Sequence, residues 1–566
     1  MLTKQTLYNN LPPFNAIIFL ILVAVYALVI VLGSDLGPTD EYAFLHTLQS
    51  GKVFPFYGQD STYLDTYKIG RFVPLGGQEF NLVALFTNKP WAYFTLNSFE
   101  FILFAILLLK ILQQFSANQL LNYFSVLLLF FIPGVTITYY KLMYVEKNVV
   151  FLMAVFFASY LSFLKEKRAI SFILVLCSAN IAMYYKETVF SAIAVFAAAH
   201  LYLSWKKSNL NTKVLDALLV ASSAIYVILY FTLVFPHRGE ITYNLSIYDP
   251  VLVFVKNLIN YSLFSDPIPI LVFPLFIMRL YQIFVEKREA HLFLDSSIAA
   301  GATYVTAYLF LNMYTPYYLL PAYLCVLPPL LYFYGNKYLS GVFWKICLII
   351  VGLVLITNTI PSGVHYLTFN KYQPINFNKT INYLISDINR RNEDRRIGIF
   401  MDGVDSGTGQ SVYMILGEFL KYEGLSILKF DLKSNKEAVD KRAFEIKQSP
   451  FDKESDLDKL GIPPGYPRHP FTVLQKVGPQ TIARGDYLIV SPDSVKDVSG
   501  SYLESLKNDY LLVYKTESLF AMPSINLKMI VKYIASEMPS SSYNDSSMIV
   551  SKNLMNWPDY YIFVKK

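Results

Sequence analysis

The sequence predicts a polytopic α-helical membrane protein of about eleven transmembrane helices, followed by a soluble C-terminal α/β domain. Three observations predict it. Of 566 residues, 54% are hydrophobic and only 16% charged, with a mean hydropathy of +0.39, whereas soluble domains carry roughly 25% charge. Charge is also unevenly placed: residues 1–361 hold 22 basic and 17 acidic side chains, residues 362–566 hold 26 and 24. Beyond Pro361, finally, short β-rich runs alternate with amphipathic stretches, as in an α/β domain. Two modules are therefore expected, a transmembrane one over 1–361 and a soluble one over 362–566. The net charge of +7 divides into +5 and +2, so neither module has the basic excess that nucleic-acid binding requires. Cys177, Cys325 and Cys347 all lie in apolar runs, which fits buried thiols and no disulfide framework.

Apolar runs suited to about 30 Å of hydrocarbon occur near 16–32, 91–109, 120–138, 149–164, 170–184, 188–204, 214–235, 268–285, 297–314, 316–334 and 346–361. With the N-terminus inside, the inner loops carry 13 basic residues and the longer outer segments 9. That bias supports an inside N-terminus. An odd number of spans then places the C-terminal domain outside, with the long loops 33–90 and 236–267. Hydrophobic spans continue past the first run without a small-residue cleavage site, so a cleaved signal peptide is not expected.

The outer loops have structure of their own. Tyr42, Phe44, Leu45 and Leu48 form an amphipathic pattern after Pro38-Thr39-Asp40-Glu41, where Thr39 or Asp40 suits a helix N-cap. Gly70-Arg71-Phe72-Val73-Pro74-Leu75 reads as a re-entrant or interfacial piece. In the C-terminal part, strands are expected at 397–401, 426–430, 486–491, 510–515 and 560–564, with an amphipathic stretch at 411–423. Asp402 to Gly409 follows a strand but matches neither the P-loop nor the dinucleotide fingerprint, and reads as a strand-to-helix turn. Asp456-Leu457-Asp458 reads as a solvated turn. The sequence contains no HExxH, GxSxG or CxxC.

Four outward spots collect charge that is costly near a membrane: Asp40-Glu41, Lys141 with Glu146-Lys147, Lys186-Glu187, and His237-Arg238 with Glu240. Because alternate helix ends share a leaflet, these spots meet on one surface. A carboxylate beside cations there has the parts for moving a sugar off a membrane-anchored phosphate. Lys or Arg holds the phosphate, and Asp takes the acceptor's proton. A carboxylate also stabilises an oxocarbenium-like transition state. The alternative is that each spot is a helix cap or a snorkelling helix end.

Pro38-Thr39-Asp40-Glu41 resembles the Asp-Glu signature of the C-type (GT-C) membrane glycosyltransferases, in the branch of the protein O-mannosyltransferases and aminoarabinose transferases. Tyr140-Lys141-Leu142-Met143-Tyr144-Val145-Glu146 resembles that branch's basic-then-acidic segment opening the fourth span. Tyr185-Lys186-Glu187-Thr188 resembles its Thr-Lys-Gly-type segment, and Tyr317-Tyr318-Leu319-Leu320-Pro321 is similar to its Arg-Tyr-Leu-Leu-Pro segment. The match covers roughly 15–335. Glu187 stands where the family carries a small residue, and Pro316-Tyr317 replaces a basic one. The resemblance implies a GT-C-like fold and a single displacement with inversion at the sugar carbon. It makes Asp40 the general base, Glu41 its neighbour or a structural cap, and Glu146 a second acid. Lys186, Arg71, Arg238 and Lys141 are the candidates for the donor phosphate. No cofactor is required on this reading, although Asp40 and Glu146 together would suit a divalent cation.

The expected activity is transfer of a hexose or pentose from a polyprenyl-phosphate-linked donor to a hydroxyl on a protein, lipid or glycan acceptor, on the extracytoplasmic face. Alternatives are a lipid-linked glycan polymerase or ligase, and a flippase or transporter of lipid-linked sugar. A transporter is expected to place charge near the midplane, where only Glu100 falls. That residue reads either as a proton relay or as a neutral side chain hydrogen-bonded in the bundle. His46 reads as an interfacial residue or a second base. Few cysteines and compact loops point to a bacterial inner membrane.

Overall fold

The computed structural model describes residues 13–38, 41, 71–237, 250–264, 266–311, 313, 315–391, 393–401, 416–417, 419–421, 423–433, 481–492, 500–518, 520, 522 and 558–566. The chain divides into two compact units, one of Met1–Leu32 with Phe54–Leu367 and one of Gly33–Val53 with Thr368–Lys566. The division falls inside a helix, Ile360–Arg391, between Leu367 and Thr368. Pro361 does not stop the chain because a π-turn, Leu355–Thr359, precedes it and shifts the backbone pairing just where the proline lacks an N–H. The loop expected at 33–90 is shared, its first part belonging to the second unit.

The first unit is helical. Its elements are α1 (Pro13–Val31), the short α2 (Gln78–Ala84), α3 (Pro90–Gln113), α4 (Gln119–Leu129), α5 (Pro133–Tyr140), α6 (Glu146–Glu166), α7 (Ala169–Tyr185), α8 (Val189–Ser204) and α9 (Leu210–Leu229). After these come α10 (Pro250–Phe264), α11 (Ile268–Phe284), α12 (Leu292–Phe310), α13 (Leu320–Gly335), α14 (Val342–Val354) and α15 (Ile360–Arg391). A helix covers each apolar run, and the expected count of eleven spans is not confirmed. Among the described residues, five helices are long and apolar enough to cross a membrane, or up to seven if each of two bent pairs is one span. Length explains part of the difference: α7 and α8 have 17 and 16 residues, about 25 Å of helix. Bending explains more. The run read as one span at 120–138 breaks by 57° between α4 and α5, where Pro133 opens the second helix and restricts the residue before it.

Packing follows from residue size. Tyr26, Phe101 and Phe130 cluster with centroids 4.7–5.1 Å apart, and the Tyr26 hydroxyl donates to the Phe130 carbonyl at 2.8 Å. Gly363 is required where it stands, since a Cβ there would lie 1.7 Å from the Phe131 carbonyl oxygen. Of the five candidate spans, the one ending in α13 is the most buried.

The second unit carries a five-stranded sheet of β1 (Ile397–Met401), β2 (Phe430–Lys433), β3 (Tyr487–Val490), β4 (Tyr510–Lys515) and β5 (Tyr561–Lys565), ordered β2-β1-β3-β5-β4. β1 pairs in parallel with β2 and β3, while β5 runs antiparallel to β3 and β4. Phe400, Leu488, Val490 and Phe563 form a core on one face. The C-terminal part of α15 belongs to this unit: Tyr383 stacks on Tyr514 at 4.4 Å, and Asn376 donates to the Pro558 carbonyl at 2.6 Å. β2 begins four residues later than expected. Ser426 closes a turn by accepting the Lys429 N–H at 3.0 Å and, through its hydroxyl, the Leu428 N–H at 3.3 Å, so those amides are unavailable to a strand. The Asp402–Gly409 and Asp456–Asp458 segments lie outside the described residues.

Candidate functional site

Three consecutive side chains at the corner between α7 and α8 reach three different partners. Lys186 caps α7 in extended conformation, which turns neighbouring side chains away from each other as in a strand. The Tyr185 hydroxyl donates to Oε2 of Glu79 on α2 at 2.9 Å. The Lys186 ammonium lies 2.8 Å from Oε1 of Glu146 at the start of α6. Glu187 receives the Arg71 guanidinium, Nε to Oε1 at 2.8 Å and Nη2 to Oε2 at 3.4 Å.

The first turn of α6 divides in the same way. Glu146 faces Lys186, in a first turn where the helix dipole favours negative charge. Lys147 turns elsewhere, donating to the carbonyls of Leu142 at 2.5 Å and Tyr144 at 3.3 Å. Asn148 donates to Oε1 of Glu100 on α3 at 3.1 Å. Glu100 is thus hydrogen-bonded within the bundle.

Tyrosines wall the Lys186–Glu146 pair. Nζ of Lys186 stands 4.6 Å from the centroid of the Tyr318 ring, a distance at which the ring face attracts a cation. Tyr317 lies 4.4 Å from both Tyr318 and Tyr144, and Tyr308 stacks on Tyr318 at 4.9 Å. Thr188 and the Tyr308 hydroxyl are hydrogen-bonded at 2.8 Å. The segment carrying Arg71 is fixed by Leu75 N–H donating to the Tyr184 carbonyl at 3.1 Å and by the Tyr226 hydroxyl donating to the Phe72 carbonyl at 2.7 Å. Burial works against the charge of Glu187, but Arg71 and then Lys186 outweigh it and hold the carboxyl below its ordinary range.

The structure therefore joins Glu146, Lys186 and Arg71 of the expected site residues. Lys141 caps α5 and pairs with none of the described residues. Glu41 is buried in the second unit, where its Oε2 accepts the Gly37 N–H at 2.5 Å, the geometry of a local cap. Asp40, Arg238 and His46 lie outside the described residues. Sequence reasoning passed over Glu79 and the tyrosine wall. Gly76-Gly77-Gln78-Glu79, a helix start just past a proline, was the signal for the former, and the crowding of Tyr144, Tyr317 and Tyr318 at helix ends was the signal for the latter. Among the described residues no group of three or more His, Cys, Asp or Glu is placed to hold a metal ion.

No family model matches the chain, and no curated protein matches it. Among solved structures, the chain is similar to the archaeal oligosaccharyltransferase AglB from Archaeoglobus fulgidus, determined in complex with an inhibitory peptide and a dolichol-phosphate. The likeness covers 85% of this chain and 70% of that one, at 11% identity and a TM-score of 0.40.

Two more buried polar clusters hold the first unit together away from this corner. Arg279 binds Asp295 through Nε at 2.6 Å and Nη2 at 2.9 Å. His200 and Tyr160 both reach Asp216, at 2.8 and 2.6 Å, tying α6, α8 and α9 at their ends remote from Glu146.

Proposed function

We propose that the protein is a membrane glycosyltransferase that moves a sugar from a polyprenyl-phosphate-linked donor to a hydroxyl acceptor at the extracytoplasmic face, with inversion. The observation that carries this reading is the Lys186–Glu146 pair beneath Tyr318, with Arg71–Glu187 beside it, because it gathers a buried cation, a second cation and aromatic faces at one helix corner.

Each part has a task. An ammonium has three donors, so Lys186 can hold a phosphate oxygen while keeping Glu146. Arg71 supplies the second positive charge, and its guanidinium suits the planar fork of a phosphate contact. Tyr317 and Tyr144 offer aromatic surface for the apolar side of a sugar ring. In the reaction the acceptor oxygen forms a bond to the anomeric carbon as the bond from that carbon to the phosphate oxygen breaks. The electron pair of the broken bond stays on the departing lipid phosphate, where Lys186 and Arg71 neutralise it. The acceptor proton passes to a carboxylate, the role assigned to Asp40. Glu41 is the neighbour of Asp40 on this reading, and Arg238 and Lys141 are the further candidates for the donor phosphate.

The test is single-turnover sugar release from synthetic polyprenyl-phosphate monosaccharides by purified protein, comparing wild type with Asp40→Asn and Lys186→Met. Wild-type release, abolished in Asp40→Asn with donor still bound and weakened at the binding step in Lys186→Met, is the expected result. Release only from diphosphate-linked oligosaccharides moves the assignment to a polymerase or ligase. Binding without release in all three proteins overturns the transferase reading in favour of a lipid-sugar carrier.

A further inference from the structure

Among the described residues, the charges buried at the α6 and α7 corners do not balance. Arg71 and Glu187, both half-buried, cancel one another. What remains almost wholly out of solvent is Lys186 and Lys147 against Glu146, Glu79 and Glu100, two positive groups facing three carboxyls. Glu146 takes Lys186 at 2.8 Å. Lys147 is left to serve both Glu79 and Glu100, each of which feels its charge. A lone negative charge in a medium of low dielectric costs several kcal/mol even after relaxation, and buried groups of this kind neutralise instead.

The hydrogen bonding points to the same two side chains. Glu79 accepts from Tyr185 through Oε2, and Glu100 accepts from Asn148 through Oε1. The second oxygen of each, Oε1 of Glu79 and Oε2 of Glu100, is buried with no hydrogen-bond partner among the described residues. Both side chains are more than nine-tenths buried, with 9% and 8% of their surface exposed. The amide oxygens of Asn97, three residues before Glu100 on α3, and of Asn148 are likewise buried acceptors with no donor. Against these four acceptor oxygens stands one buried donor without a partner among the described residues, the Tyr139 hydroxyl, so acceptors exceed donors. A carboxyl that carries a proton becomes a donor and also removes the excess negative charge.

We propose that Glu79 and Glu100 hold one proton between them, forming a buried proton-binding site whose neighbours Tyr185 and Lys147 adjoin Lys186 and Glu146 in the chain. The groups facing it are Lys147 and Asn148 from α6, Tyr185 from the α7 corner, Asn97 from its own helix α3 and Tyr139 from α5, whose carbonyl accepts from Asn97 at 3.2 Å. Burial, ahead of the attraction of Lys147, holds the Glu79 carboxyl above its ordinary range, in keeping with proton retention. Lys147 is the one cation among these groups, and its ammonium is already committed to the carbonyls of Leu142 and Tyr144. The proton is therefore kept unless a second positive charge enters. The inference does not depend on the transferase reading, since it follows from charge count and hydrogen bonding alone.

Infrared spectroscopy of the full-length protein in detergent at neutral pH tests it. The expected result is a protonated-carboxyl stretching band equivalent to one acid per chain, which shifts when the glutamate side chains carry 13C and therefore belongs to glutamate without any substitution. Glu79→Gln and Glu100→Gln, each supplying a neutral donor in place of the shared proton, are expected to lose that band and remain folded. Retention of the band in both variants overturns the assignment to this pair. Absence of the band in wild type also overturns it.

Discussion

The ammonium of Lys186 lies 2.8 Å from Oε1 of Glu146, with only 4% and 2% of the two side chains in contact with solvent. Removing one partner of such a pair leaves the other charge buried and uncompensated, which typically costs about 3–5 kcal/mol. Lys186→Met and Glu146→Gln are therefore expected to differ. The first leaves a charge and lowers the melting temperature strongly; the second leaves a lysine that retains Tyr318, and its loss is smaller. The double variant Lys186→Met/Glu146→Leu should recover much of the stability without recovering turnover. Thermal unfolding in detergent, measured beside sugar release, separates the two effects. Recovery of turnover in the double variant would remove Lys186 from the proposed chemistry.

Arg71 and Glu187 form a second, more exposed pair through two guanidinium nitrogens. Lysine cannot reproduce that fork. On the proposed function, Arg71→Lys should keep the fold but raise KM for the donor several-fold while kcat changes less, as expected when a contact made in both ground and transition states is lost. Steady-state kinetics against donor concentration decide it. An unchanged KM would confine Arg71 to supporting Glu187.

Gly363 carries a packing prediction. With a Cβ only 1.7 Å from the Phe131 carbonyl oxygen, Gly363→Ala must displace backbone. Overpacking of cores costs roughly 1–3 kcal/mol and sometimes more, and a backbone clash belongs at the upper end. The variant is expected to give low yield and a lowered melting temperature in detergent. A Gly363→Ala protein as stable as wild type would contradict this close approach.

In the second unit, burial opposes the charge of Asp486, but the Arg395 guanidinium at 2.8 Å, the N–H groups of Gly398 and Ala483, and Lys433 together hold its carboxyl below the ordinary range. A group whose folded value is depressed contributes stability above its unfolded value, about pH 4 for aspartate. That contribution is lost as pH falls through the lower, folded value. Melting of the sheet, followed in the amide I band, should therefore drop below pH 4 in wild type, and Asp486→Asn should begin less stable and show a shallower drop. Equal slopes in the two proteins would count against this linkage.

Helices were readable from the sequence where a long apolar run did the work alone, as at Pro90–Gln113 and Glu146–Glu166, and strands where short apolar runs ended cleanly, as at 397–401 and 510–515. Breaks were harder to read. Pro133 bends a run whose composition is uniform, and Pro361 fails to interrupt one because a π-turn accommodates it, so the same residue type gave opposite results for reasons of backbone pairing. The meeting of Lys186 with Glu146 followed from helix ends sharing one side. Arg71 with Glu187 did not, because nothing local at 71 indicates a partner 116 positions away, and Glu79 has the composition of an ordinary helix start. The tyrosines at 144, 317 and 318 stand in segments that carry the family resemblance, but nothing in the sequence shows that their rings meet.

The corner at Tyr185, Lys186 and Glu187 also bears on how the chain is made. Its three partners, Glu79, Glu146 and Arg71, all precede it, and folding during synthesis proceeds from the N-terminus. Each polar side chain of the corner thus leaves the ribosome after its counterpart, and no lysine or glutamate of the triplet has to wait for a later segment to be neutralised. Tyr317 and Tyr318 come more than a hundred residues afterwards. The aromatic wall is accordingly the last part of the site to be completed, added over an ionic framework for which every residue has already been made.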